Sequence, residues 1–150
     1  MNRIAKGFSA GLAATTVLSV LMVLKTMMGV MPALDLPRMI AGMMGAPDSP
    51  IIGWTVHFMI GIVIYGLAIV VLGKSLPGQS WVVRGAILGV IGWLIMMIAL
   101  MPMAGAGLFG TSLGIMAPMM TLVLHLIFGG VLGAVYGRAI RDTPQSAASA

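Results

Sequence analysis

Four stretches of this chain run for about 20 residues each with almost no charge, at positions 7–30, 51–72, 83–103 and 115–136. A helix needs about 20 apolar residues to cross a hydrocarbon layer of roughly 30 Å. The alternating segments of about ten residues that build a membrane barrel do not occur. A helix bundle is then the remaining way to satisfy every backbone group in lipid. Composition points the same way: 60% of residues are hydrophobic and 7% are charged, with a mean hydropathy of +1.13. A soluble domain carries about 25% charged residues, so a soluble enzyme, a disordered chain and a nucleic-acid binder are excluded. The net charge of +5 does not bring nucleic acid back, because the basic residues stand singly between apolar runs. The chain has no Cys, which removes thiolate metal sites and Cys nucleophiles.

The basic residues orient the bundle. Arg3 and Lys6, Lys74 and Arg84, and Arg138 and Arg141 all fall on one side of the four spans, and only Lys25 and Arg38 fall toward the other. The positive-inside rule makes the crowded side cytoplasmic, so both termini are expected there, in a bacterial inner membrane. Residues 142–150, DTPQSAASA, read as a small polar tail. The first span is longer than the apolar part of a signal peptide and the residues begin at Met1, so cleavage is not expected.

The two halves look alike. Lys6-Gly7-Phe8-Ser9-Ala10-Gly11 opens span one, and Arg84-Gly85-Ala86-Ile87-Leu88-Gly89 opens span three. Span two carries HFMIGIVIYG from His57, and span four carries HLIFGGVLGAVYG from His125. Two helices per unit predict parallel repeats related by an axis along the membrane normal. Glycines spaced by four let helices approach closely, and packing is the plain reading of those in spans one and three. The repeats differ in their outer connections. Residues 31–50 form the longer one, in which Asp35 is expected to cap a short interfacial helix with Pro37 in its first turn. Arg38 is placed to pair with Asp35.

The only two histidines, His57 and His125, both sit inside spans, where ionisable groups are costly and mark functional sites. Counting about 1.5 Å per residue puts both imidazoles at one depth in the outer half. Short loops make spans two and four diagonal in the bundle, with axes roughly 11–14 Å apart. That separation suits two imidazoles ligating one haem b from opposite faces. Gly61 and Gly129, four residues past each His, would leave a flat floor for the macrocycle, and Lys25 and Arg38 would meet its propionates. The alternative is a pair of core histidines bonded to backbone carbonyls, Thr55, Thr121 or a Tyr.

Twelve of the 16 Met gather toward the outer side. Thioethers are soft ligands for copper as Cu(I), and Met28/Met31 and Met116/Met119 have a spacing that shares a helix face. The other reading is flexible filler or a contact surface for a partner. The three carboxylates, Asp35, Asp48 and Asp142, all lie outside the spans, so a carboxylate proton relay is not expected. No phosphate loop or hydrolase constellation is present, and the chain does not read as an enzyme. Tyr65, Tyr136, Trp54 and Trp81 read as interfacial belt residues.

The run GVMPALDLPRMIAGMMG, then GWTVHFMIG, with LVLHLIFGGVLGAVYG resembles a family of small bacterial multi-pass membrane proteins to which no activity is assigned. Its motif residues here are Leu34, Asp35, Leu36, Gly53, Trp54, His57, Phe58 and Gly61. The His pair also resembles cytochrome b bundles, although those carry two His per helix and this chain has one. The sequence therefore predicts an all-α integral membrane protein, a four-helix bundle of two parallel repeats over residues 1–141, in contact with the lipid bilayer. Its leading function is bis-His haem binding for electron transfer or sensing in a respiratory assembly. The alternatives are a cofactor-free accessory subunit packed against other membrane subunits or its own copies, and a copper-handling protein.

Overall fold

The computed structural model describes residues 2–141, so the 142–150 tail lies outside the described residues. Four helices are long and apolar enough to cross a membrane: α1 (Arg3–Met27), α3 (Pro50–Val71), α4 (Trp81–Met103) and α5 (Met116–Arg141). A short helix, α2 (Leu36–Met43), precedes α3. A 3-10 turn, Leu108–Leu113, precedes α5. α1 begins earlier than its apolar run because Asn2 accepts the Ala5 amide at 2.8 Å, which satisfies a donor that a helix start leaves open. α5 extends past its apolar run into Arg138 and Arg141, whose charges suit a helix C-terminus. The Asp35 carboxylate accepts the Arg38 amide at 3.1 Å and Pro37 sits in the first turn of α2.

Glycine sets the packing. A Cβ on Gly7 would overlap the Gly66 carbonyl, and one on Gly11 would lie 2.5 Å from the Gly61 carbonyl oxygen. These contacts lock α1 against α3 in antiparallel register. Gly85 and Gly129 each face the other's carbonyl, and a Cβ on Gly89 would overlap the His125 carbonyl. These lock α4 against α5 in the same antiparallel sense. α1 also packs on α5, whereas α3 meets α4 and α5 only sparsely. Spans two and four thus sit across the bundle from one another. Bulky apolar side chains such as Val20, Ile64, Ile95 and Val123 point outward, as a lipid-facing surface requires.

Two helices carry a one-residue insertion. In α3 the Tyr65 amide bonds the Ile60 carbonyl, and in α4 the Met101 amide bonds the Met96 carbonyl. Each is an i→i+5 π turn, a feature that often marks functional sites. In α3 the turn lengthens one step of the buried stripe, so Gly53, His57 and Gly61 are followed by Gly66. In α4 it stacks Met96 and Met101 on one face, and both are buried.

Tyr65 and Tyr136, expected in the interfacial belt, both pack against aromatic rings of the bundle. Tyr65 lies within α3, its ring 4.7 Å from Phe128 with its hydroxyl against Gly92. Tyr136 is buried against Trp81 at 4.9 Å. The notch at Gly92 accepts the Tyr65 ring, so Tyr65 fills the core of the bundle.

The end of the bundle away from the termini is closed by its own small core. Leu34 from the α1–α2 connection and Ala106 from the α4–α5 connection pack on Met96, Met97 and Met101. The Lys25 ammonium donates to the carbonyl oxygens of Met31 (2.9 Å) and Leu34 (2.8 Å), tying α1 to the first connection.

Candidate functional site

His57 is on the buried stripe of α3, 7% exposed, with Trp54 (5.7 Å) and Phe58 (6.0 Å) edge-on to its ring. Its Nε2 is enclosed without a hydrogen-bond partner. A buried polar atom in that state costs about 1–3 kcal/mol, so it calls for a reason. Ser19 Oγ is enclosed in the same way. Because a Cβ on Gly61 would overlap Thr15 Oγ1, one more turn along each antiparallel helix sets Ser19 level with His57.

His125 is held differently. Its Nδ1 lies 2.8 Å from the Thr121 carbonyl oxygen. A carbonyl only accepts, so Nδ1 carries the proton and Nε2 of the neutral ring keeps its lone pair. This is the arrangement that fixes the tautomer of metal-ligating histidines. Thr121 is itself fixed, since Trp93 Nε1 donates to Thr121 Oγ1 and to the Pro118 carbonyl oxygen, both at 3.1 Å.

His125 and Thr121 border a cavity of about 30 Å³, whose other walls include Met22, Leu18, Met96 and Met101. The space matches about one water molecule. The walls supply one imidazole and three thioether side chains. Among the described residues, no three His, Cys, Asp or Glu side chains are grouped to hold a metal. The donors present are neutral and soft.

Several expected roles are corrected. Gly61 and Gly129 do not floor a flat space: the Thr15 side chain fills the notch at Gly61, and the Gly85–Ala86 backbone fills the notch at Gly129. Lys25 has two of its three donors on Met31 and Leu34, and Arg38 is exposed on α2. A cofactor of haem size needs a pocket of about 300–1,000 Å³, some tenfold more than the cavity beside His125. The imidazoles have the right chemistry for axial ligands, but the residues around them do not fit the macrocycle.

The thioethers at the cavity are not those with the Met-x-x-Met spacing. Met28 is 76% exposed and Met119 is 57% exposed, whereas Met101 is fully buried. Met22 and Met96 were not singled out by the sequence. Met22 continues the Ala14, Leu18 stripe at four-residue spacing, which is a legible signal. Met96 lies seven residues past Gly89 on the same buried stripe of α4, and it is Met101 that needs the π turn, which no local pattern announces.

A family of unknown function, DUF6789, matches residues 1–147. No curated protein and no solved structure matches the chain.

Proposed function

The chain belongs to this family of unknown function, and from its own geometry we propose that it is a copper-handling membrane protein. It holds Cu(I) between His57 and His125, with thioether donors from Met22, Met96 or Met101. The observation that carries this reading is a pair of imidazoles, His57 buried and His125 half-buried. One has an unpartnered Nε2, and the other is tied by Nδ1 so that Nε2 keeps its lone pair beside a methionine-walled cavity. Imidazole and thioether together favour Cu(I) over the harder ions. All these donors are neutral, which favours a singly charged ion, because a doubly charged one would sit uncompensated in the membrane interior.

The distribution of basic residues supports a reading in which both termini lie in the cytoplasm of a bacterial cell and the methionine-rich end faces outward. The matching glycine contacts of α1 with α3 and of α4 with α5 support two parallel repeats, each contributing one histidine. Copper reaches the site from the outer face, where the connections meet.

Anaerobic competition between the purified protein and a Cu(I) chelator tests the reading. One equivalent of Cu(I) is expected per chain, with at least tenfold weaker binding in His57→Ala and in His125→Ala. Unchanged retention in both variants would overturn it. A Soret band lost with either His would restore a haem. A colourless, copper-free protein isolated with other membrane subunits would favour an accessory role.

A further inference from the structure

A second cavity, of about 180 Å³, opens where the ends of α1 and α3 meet the approach to α2. It holds roughly the volume of six waters. Lys25, Asp35, Thr26 and Trp54 border it. Lys25 has one donor left after its two carbonyl bonds, and Asp35 has one oxygen left after capping α2. The two charges face one space, yet each takes its hydrogen bonds from backbone rather than from the other. Lys25 lies two residues from the end of α1, and Trp54 lies four residues past Pro50, the start of α3. Such positions fall at headgroup depth, where Trp and Lys collect. Val23 and Met27 also border the cavity, and both are exposed apolar side chains.

We propose that this cavity binds the headgroup of an amine-bearing zwitterionic phospholipid. The phosphate meets Lys25, the ammonium meets Asp35 and the Trp54 ring, and the acyl chains run along Val23 and Met27. The charge pattern selects the headgroup. An anionic lipid would leave its phosphate and the Asp35 carboxylate sharing the single Lys25 charge in the cavity. A simple cation would leave the Lys25 charge unmatched in a partly enclosed space, where unpaired charge is costly. An aromatic face adds attraction for an ammonium group. The two cavities share Met22, Lys25 and Leu34 as walls, but the headgroup reading does not depend on the copper reading.

Tryptophan fluorescence of the full chain in detergent tests the proposal. Dihexanoyl phosphatidylethanolamine should give a saturable change that is absent in Trp54→Phe. Dihexanoyl phosphatidylglycerol should bind at least tenfold more weakly. Asp35→Asn should remove that discrimination, while Asn still accepts the Arg38 amide and keeps the α2 cap. Equal binding of the two lipids by the unaltered chain would overturn the proposal, as would full phosphatidylethanolamine affinity in Asp35→Asn. Free phosphoethanolamine binding as tightly as the lipid would overturn the lipid assignment.

Discussion

The Trp93 indole donates to Thr121 Oγ1 at 3.1 Å, and the Thr121 carbonyl in turn receives His125 Nδ1–H at 2.8 Å. Thr121 thus joins α4 to the histidine on α5. The residue whose backbone carbonyl fixes the imidazole is itself anchored through its hydroxyl from the neighbouring helix, so His125 has its tautomer and its orientation set before any ligand arrives.

Trp93→Phe removes that donor and keeps most of the ring. It should lower stability by about 1–2 kcal/mol, the range for a buried bond lost with its partner left behind. Copper affinity should fall by about 10- to 100-fold, as for other groups that orient a ligand. Thermal melts in detergent and Cu(I) competition read the two effects separately.

Gly85→Ala should break the bundle. Its Cβ would overlap the Gly129 carbonyl and come within 2.8 Å of the Gly133 Cα, so α4 must move off α5. Gly130→Ala is the control on the partner helix α5, outside the interface, since nothing lies within 4 Å of its Cβ. There the helix propensity of Ala should add up to about 1 kcal/mol. A melt showing the two variants equally stable would contradict this packing.

His57→Leu should raise the stability of the metal-free protein while abolishing copper binding. The unpartnered Nε2 disappears and an apolar side chain of similar size replaces the ring, a change worth about 1 kcal/mol or more. A stability gain joined to a functional loss is the usual mark of a residue kept for its chemistry. Melting curves with and without Cu(I) should cross in sign between the two proteins.

Met101→Leu and Met119→Leu should separate the buried thioethers from the exposed ones. The first replaces a fully buried sulfur beside the cavity, and the second alters a 57% exposed side chain. The swap nearly conserves volume and should cost under about 1.5 kcal/mol in the core. Cu(I) affinity should drop at least tenfold in Met101→Leu and stay unchanged in Met119→Leu.

The two histidines were legible because ionisable side chains are rare within apolar runs, and an intrahelical count of residues sets their depth. The Asp35 cap was legible because its partners lie within the next three residues. Gly61 and Gly129 were misread for the opposite reason. A missing side chain shows that something comes close, and only the neighbouring helix decides whether that is a cofactor or Thr15 and Gly85. Lys25 was misread likewise, since its carbonyl partners lie six and nine residues away across a turn.

The sequence by itself determined the membrane class, the four spans and the glycine stripes along which they pack. Hydropathy, charge and spacing are local along the chain, and about 20 apolar residues in lipid have one stable backbone solution. Only the tertiary structure decided which thioethers share a cavity with His125, and that no haem-sized space lies there. Those outcomes depend on the register between helices. Each residue turns a helix by about 100°, so the π turn that follows Met96 brings inward Met101, which a regular helix would direct elsewhere.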